Sequence, residues 1–144
     1  MACNDATSQP VGGTTQHGRA TVIVVDDDDD TREVVTEILR DEGFDVLGAC
    51  DGHEALECAA RLPRPIAMLL DLVMPRMGGR EVLRRLRGRS ELKSLPVCIV
   101  SGEHDLPPGA DLAVHKPLLL HRLVRVIAWL HECANASRGM VTAT

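Results

Sequence analysis

The amino-acid sequence predicts an α/β protein built on a doubly wound, five-stranded parallel sheet. Two observations support this fold class. Short apolar runs alternate along the chain with segments whose apolar residues recur at helical spacing. The runs are also continuously apolar, as expected of strands that helices cover on both faces. In such a sheet the ligand site lies beyond the carboxyl ends of the strands.

The first half of the chain supplies two predicted strands and two predicted helices. Residues 22–25 form a β-branched apolar run that is typical of a buried strand. The segment 31–42 carries an apolar helical stripe and is stopped by Gly43. A weaker strand follows at 44–49. An Asp-Gly turn then precedes a helix over 54–62, which a pair of prolines ends.

The second half continues the alternation. The continuous apolar run 66–70 predicts the third strand, and a helix with an inward apolar face is expected at 80–87. Residues 97–100 and 112–115 supply the fourth and fifth strands. The chain closes with an amphipathic helix expected over 119–134.

One domain accounts for most of the 144 residues. The segment 1–18 is polar and rich in Gly, Thr and Ser, so it is expected to be a disordered leader. The folded domain is predicted to cover 19–134, followed by a flexible tail over 135–144. Since few residues remain after 134, we expect a stand-alone domain.

Composition excludes several classes of function. The net charge of −5 argues against an electrostatic nucleic-acid binder, and we expect no direct DNA binding. No apolar stretch is long enough to span a membrane, and the amino terminus lacks the pattern of a signal peptide. The five cysteines show no CxxC spacing, and their odd number indicates reduced thiols. A cytoplasmic protein without membrane contact is expected.

Polar side chains follow four of the five predicted strands. They are Asp26 and Asp27, then Asp71, Ser101 and Lys116. All of them should meet at one edge of the sheet. The three carboxylates repel one another unless a cation compensates them, and Mg²⁺ is the usual compensator for oxygen ligands.

This set of groups suits phosphoryl transfer to a carboxylate. A metal ion neutralises phosphate charge, Lys116 pairs with a phosphoryl oxygen, and the Ser101 hydroxyl donates to another. Asp71 stands alone at its strand end and is the expected nucleophile, whereas Asp26 and Asp27 supply the metal-binding charge. The alternative for each residue is a structural role. For residues 28–30 that role is preferred, because acidic side chains stabilise a helix start.

Residues 19–134 resemble the receiver domain of bacterial response regulators. The matching pieces, in order, are VIVVDDDDDTREVV, DGHEAL, AMLLDLVMPRMGG, PVCIVSG and GADLAVHKPL. The resemblance implies a flavodoxin-like fold and Mg²⁺-dependent phosphorylation of an aspartate. The phosphoryl donor would be a histidine kinase or a histidine phosphotransfer protein. The signal would pass through protein contacts, and the domain itself would not be an enzyme.

The resemblance also assigns roles by position. Asp71 matches the phosphoacceptor, Asp27 the direct Mg²⁺ ligand and Asp26 its neighbour, which acts through water. Val73 matches the residue whose backbone carbonyl binds the metal. Ser101 matches the switch hydroxyl, and Lys116, followed by a cis peptide bond to proline, matches the family's lysine.

The chain departs from the family pattern in two places. Ser101 and Lys116 are fifteen positions apart, which is too short for the family's fourth helix, and Pro107-Pro108 oppose a helix there. We therefore predict that this helix is missing or reduced to a turn. Ala113 occupies the position of the family's switch aromatic, so the usual coupling of phosphorylation to an output surface is in question.

Two other functions fit part of the pattern. The run from Asp27 to Thr31 matches the DxDxT motif of haloacid-dehalogenase phosphatases, in which Asp27 would be the nucleophile. That interpretation lacks a later acidic pair and leaves Asp71 without a role. The other alternative is a receiver-like module that binds a partner without being phosphorylated.

Overall fold

The computed structural model describes residues 19–63, 65–104 and 106–142, so the predicted leader over 1–18 lies outside the described residues. The strands are β1 Thr21–Val25, β2 Asp45–Ala49, β3 Ala67–Asp71, β4 Val97–Ser101 and β5 Leu112–His115. The helices are α1 Asp29–Asp41, α2 Gly52–Arg61, α3 Gly79–Arg87 and α4 Leu120–Thr142. The chain thus alternates strands with helices, as the sequence predicts.

The five strands form one parallel sheet in the order β2-β1-β3-β4-β5. This is the flavodoxin-like order, with the switch in winding direction between β1 and β3. The predicted fold class is therefore confirmed. All five residues of β3 and of β4 are buried, because helices cover both faces of the sheet.

Two aliphatic cores lie on the two faces of the sheet. One contains Ile23, Met68 and Ile99 beneath α2 and α3, and the other contains Val24 and Leu69 beneath α1 and α4. Alternate residues of one strand thus enter opposite cores, as the period of two requires. Both cores fix the strands against one another, and with them the positions of their carboxyl ends.

The aspartate run divides between the strand end and the helix start. Asp28 is the N-cap of α1, where its carboxylate accepts hydrogen bonds from the Asp30 backbone N–H at 3.2 Å and the Thr31 hydroxyl at 2.7 Å. The hydroxyl of Thr31 lowers the pKa of the Asp28 carboxyl. Residues 28–30 therefore begin the helix, as predicted, and Asp26 and Asp27 remain for the site.

No helix lies between β4 and β5 among the residues described there, which leave out residue 105. The prediction that the fourth helix of the family is missing is confirmed. Arg87 holds the shortened connection in place. Its guanidinium donates to the carbonyl of Gly109 at 2.8 Å and to Asp111 at 3.0 Å, and also to the carbonyls of Lys93 and Leu95 before β4.

One sequence expectation differs from the structure. Helix α4 continues to Thr142, past the expected end at residue 134, because no proline interrupts the Ala- and Ser-containing sequence after Ala134. The flexibility expected of 135–144 remains a prediction. Cys58, Cys98 and Cys133 carry free thiols, as the sequence predicts for these three residues.

None of the helices in the described part of the chain is both long and apolar enough to cross a membrane.

Candidate functional site

The structure brings the predicted polar residues to one edge of the sheet. Asp26 follows β1 directly, Asp71 ends β3 and Ser101 ends β4, while Lys116 follows β5. Asp71 and Ser101 lie on neighbouring strands, since Asp71 pairs with Val100 in the register of β3 and β4. The parallel sheet thus places these four side chains at a common end, as expected.

Three carboxylates meet at this edge. One oxygen each from Asp26, Asp27 and Asp71 can be chosen so that all lie within 4.8 Å of one another. Asp26 and Asp71 are buried, with 6% and 5% of their surface exposed, whereas Asp27 is exposed to solvent. The cluster is therefore closed on the protein side and open on the side of Asp27.

Lys116 is the cation of the cluster. Its ammonium nitrogen lies 3.1 Å from Oδ2 of Asp71 and 3.5 Å from Oδ2 of Asp26. The Lys116–Pro117 peptide bond is cis, as the resemblance implied, and the backbone N–H of Lys116 donates to the carbonyl of Ser101 at 2.9 Å. This pairing of β5 with β4 holds the base of the lysine beside the carboxylates.

The pKa values of Asp71 and Lys116 are both raised, but for different reasons. Burial raises the pKa of the Asp71 carboxyl, and the nearby charge of Asp26 adds to this, while Lys116 opposes the shift only in part. Burial alone would lower the pKa of Lys116, but its hydrogen bond to Asp71 and the charge of Asp26 outweigh burial and raise it. One ammonium thus pairs with two carboxylates and does not fully offset the burial of Asp71.

The donor set fits a hard divalent cation. All three candidate ligands are carboxylates, which Mg²⁺ prefers. Counting formal charges, three carboxylates against the ammonium of Lys116 leave two negative charges, which equals the charge of a divalent ion. Asp26, Asp27 and Asp71 would hold such an ion, and a metal-binding role for the backbone carbonyl of Val73 remains a prediction.

Close packing of α3 against β3 fixes the position of Asp71, the candidate nucleophile. The first residue of α3, Gly79, lies against the end of β3, and a Cβ atom there would come within 2.4 Å of the carbonyl oxygen of Asp71. Asp71 Oδ1 accepts a hydrogen bond from the Val73 N–H at 3.3 Å. A glycine at position 79 is therefore needed for α3 to approach the strand end that carries Asp71.

Arg32 is a buried residue of the site that the sequence analysis missed. It lies in α1 with 7% of its surface exposed, and its guanidinium donates to the backbone carbonyl of Asp26 at 2.7 Å and to the carboxylate of Asp29. Its aliphatic stem packs over Gly48 of β2. The only sequence signal was a basic residue two positions after an acidic run, which is not specific.

Ser101 and the loop after it contact α3. The hydroxyl of Ser101, 1% exposed, accepts a hydrogen bond from the Glu103 N–H at 3.0 Å, and Glu103 pairs with Arg80 at 3.2 Å. Ala113, at the position where the family has an aromatic residue, lies in β5 opposite Ile99 and is half-buried.

Comparison with known proteins identifies the family. The response regulator receiver domain matches residues 22–128. The DNA-binding response regulator MtrA of Mycolicibacterium smegmatis is 39% identical over 118 residues, covering 76% of this chain and 50% of that protein. The response regulator MprA of Mycobacterium leprae is 38% identical over 100 residues, covering 65% of this chain and 42% of that protein. The chain spans half the length of these relatives or less.

Solved structures agree with this assignment. The chemotaxis response regulator CheY4 of Vibrio cholerae is 30% identical with a TM-score of 0.70, over 78% of this chain and 98% of that one. A response regulator receiver protein from Pseudomonas putida is 30% identical with a TM-score of 0.69, over 76% and 96% of the two chains.

These relatives correct one expectation. The prediction of no direct DNA binding is wrong as a conclusion from this chain, because relatives such as MtrA are DNA-binding response regulators. The prediction rested on the net charge of these 144 residues, and that charge carries no information about the other half of such proteins. With the receiver fold and its acidic site in place, the chain belongs to the response regulator receiver domain family.

Proposed function

We propose that Asp71 accepts a phosphoryl group from the phosphohistidine of a histidine kinase or a histidine phosphotransfer protein, in a reaction that needs Mg²⁺. The observation that supports this most strongly is the arrangement of the buried Asp71 carboxylate beside Asp26 and Lys116 at the sheet edge. Asp71 is the one carboxylate of the cluster that belongs to a strand, so its position is set by the sheet. The chain acts in two-component signalling through this modification.

Transfer of the phosphoryl group from the donor histidine to Asp71 breaks one bond and forms one. An oxygen of the Asp71 carboxylate attacks phosphorus, the P–N bond of the donor breaks, and the electron pair returns to the imidazole, which takes up a proton. A bound Mg²⁺ would neutralise charge on the transferred group. The ammonium of Lys116 lies beside Asp71 in the structure, so it can pair with a phosphoryl oxygen of the product. The Ser101 hydroxyl donates to another phosphoryl oxygen. Both residues are positioned by the β4 and β5 strand ends.

Acetyl phosphate provides the direct test. Incubation with acetyl phosphate and Mg²⁺ should add one phosphoryl group to the intact protein, and peptide mapping should place it on Asp71. The Asp71→Asn variant should remain unmodified, and omission of Mg²⁺ should abolish the reaction. Asp41→Asn, at the end of α1 and distant from the site in the sequence, is the matched control and should be modified normally.

Two outcomes would overturn the proposal. Modification at Asp27 would indicate a phosphatase-type nucleophile instead. Absence of any modification in the folded wild-type protein would indicate a binding module that works without phosphorylation.

A further inference from the structure

A second cleft lies at the opposite end of the sheet from Asp71. Its volume is about 680 Å³. It is bounded by the end of α2 with Ala59 and Leu62, by the segments before β3 and β4 with Ile66 and Leu95, and by the part of α4 that begins at Trp129. The cleft thus opens at the amino ends of the strands and shares no residue with the phosphorylation site.

The length of α4 explains why the cleft exists. At about 1.5 Å per residue, its 23 residues extend roughly 34 Å. A five-residue strand covers only about 17 Å at 3.3 Å per residue. The helix therefore continues beyond the amino edge of the sheet. Ala136 and Ser137 of this helix line the cleft together with Ala59 and Leu62 at the end of α2.

The size and lining of the cleft are those of a small-molecule site. Ligand pockets commonly measure about 300–1,000 Å³ and are lined by apolar and aromatic side chains with a few polar groups. The floor here is aliphatic, since Ile66 and Leu95 are each 7% exposed, and the indole of Trp129 is half-buried at the wall. An apolar molecular body would be favoured by this surface.

The charged side chains among the described lining residues of the cleft are both acidic. Glu91 and Glu132 are both exposed and both line the cleft, and no Lys, Arg or His is among its lining residues in the described part of the chain. Within the same described residues, neither carboxylate forms an ion pair. Among its described lining residues, the cleft therefore carries two carboxylates above an apolar floor, and the indole of Trp129 adds further attraction for a cation.

We propose that this cleft binds an organic cation with an apolar body, such as a hydrophobic amine. The positive group pairs with Glu91 or Glu132, and the apolar body covers the floor beside Trp129. This activity is additional to phosphorylation and does not depend on it, because the two sites lie at opposite edges of the sheet. It would give the receiver a small-molecule input.

Trp129 makes the proposal directly testable, since it is the only tryptophan and the chain has no tyrosine. The indole fluorescence of the full chain should change saturably on titration with 4-phenylbutylamine. The neutral 4-phenylbutanol should bind about 5-fold more weakly, as expected for the loss of a partly exposed charge pair of ~1 kcal/mol. The anionic 4-phenylbutyrate should bind most weakly.

Variants locate the site. Glu132→Gln and Glu91→Gln together should remove the preference for the amine over the alcohol and leave the affinity for the alcohol unchanged. Ala136→Phe, which projects into the cleft, should weaken both ligands about 10-fold or more. Ala128→Phe, exposed on α4 but outside the cleft, is the matched control and should bind normally.

The remaining outcomes overturn the proposal. They are a non-saturable fluorescence change, equal affinity for the amine, the alcohol and the carboxylate, or a response to a basic peptide without one to the amine. The Asp71→Asn variant should bind the amine as the wild type does. A failure of phosphorylation therefore leaves this result unaffected, and a failure of amine binding leaves the role of Asp71 unaffected.

Discussion

The ammonium of Lys116 lies 3.1 Å from a carboxylate oxygen of Asp71, across 45 positions of sequence. The same ammonium lies 3.5 Å from Asp26, so it links the ends of three strands. Asp26 and Asp71 are both nearly buried and would repel each other without it. Lys116 therefore stabilises the folded site before any phosphoryl group or metal arrives.

Replacement of Lys116 should show how far the folded protein depends on its positive charge. In Mg²⁺-free buffer, Lys116→Met should lower the free energy of unfolding by about 1–2 kcal/mol, a figure reduced from that of fully buried pairs because Lys116 is 34% exposed. Added Mg²⁺ should restore more stability to the variant than to the wild type, since it replaces the missing positive charge. Urea denaturation with and without Mg²⁺ measures both effects.

The second lysine of the chain provides the control. Lys93 is exposed in the turn before β4, and Lys93→Met should change stability by less than about 0.5 kcal/mol. Equal stability of Lys116→Met and the wild type in Mg²⁺-free buffer would contradict the role given to Lys116.

Gly79 should be intolerant of even one methyl group. In Gly79→Ala the Cβ would lie 2.4 Å from the Asp71 carbonyl oxygen and 2.9 Å from the Leu72 Cα, so the start of α3 must move. We expect a loss of about 1–3 kcal/mol in the free energy of unfolding. Phosphoryl acceptance from acetyl phosphate should also slow, because the same movement displaces Asp71.

Gly88, at the other end of α3, is the matched control. A Cβ there meets its nearest atoms at 3.5 and 3.7 Å, and its φ of −85° suits any residue. Gly88→Ala should be neutral or slightly stabilising. A Gly79→Ala protein with wild-type stability and labelling rate would show that α3 adjusts without disturbing β3.

Much of the fold followed from local sequence patterns. The apolar runs before Asp26 and Asp71 predict strands because a strand buried on both faces needs apolar residues on both faces. The lost helix between β4 and β5 was predictable because its signals, a short spacing and Pro107-Pro108, are also local.

The contacts that were not predicted are formed by long side chains. Arg87 reaches the carbonyl of Gly109, 22 positions away, and Arg32 packs against Gly48 of β2 and reaches the Asp26 carbonyl, six positions away. Periodicity places both arginines in helices, but it carries no information on which carbonyls lie within their reach. The end of α4 was also misplaced, because nothing in its sequence stops the helix at Ala134.

The aspartyl phosphate should be long-lived. Val73 follows the acceptor by two positions, has 61% of its surface exposed, and has no polar group in its side chain that could orient an attacking water. Val73→Asn should therefore increase the rate of dephosphorylation by about 3- to 10-fold, through water positioning by the amide. The rate is measured by loss of the phosphoryl mass after removal of acetyl phosphate.

An exposed valine of α1 gives the control for this change. Val34 is 55% exposed, and Val34→Asn should leave the rate of dephosphorylation unchanged. A wild-type phosphate that is lost within seconds would contradict the prediction.

Cys98 should make the stability of the protein fall in alkaline solution. Burial raises the pKa of its thiol to about 12 in the folded state, against an ordinary value of 9.0. Between those values the unfolded chain has lost the proton while the folded chain retains it, so the free energy of unfolding falls as pH rises. The expected slope from this thiol is about 1.4 kcal/mol per pH unit above pH 9.

Comparison of two variants of β4 isolates that slope. Cys98→Ala removes the thiol and should flatten the decline between pH 9 and 11, although it lowers stability at neutral pH. Val97→Ala, a similarly buried change in the same strand, should lower stability and keep the wild-type slope. Identical slopes in the two variants would exclude the thiol as the cause.

Arg87 should be the residue that replaces the missing helix in holding the β4–β5 connection. Its guanidinium binds Gly109 and Asp111, and the Asp111 carboxylate in turn accepts the Val97 N–H at 2.8 Å. Arg87→Ala removes these donors at once and should lower the free energy of unfolding by about 1–2 kcal/mol. Amide exchange should become faster at Val97 and Asp111, whose backbone groups also pair at 2.9 Å.

Two further variants separate geometry from charge. Arg87→Lys keeps the charge, but one ammonium cannot reach the oxygens that the planar guanidinium spans, so exchange should stay fast. Arg85→Ala removes an exposed arginine that pairs with Glu81 at 2.8 Å and should leave the connection protected. If Arg87→Lys restored wild-type protection, charge alone would hold the segment. If Arg87→Ala left exchange unchanged, the connection would owe its order to Pro107-Pro108 and not to Arg87.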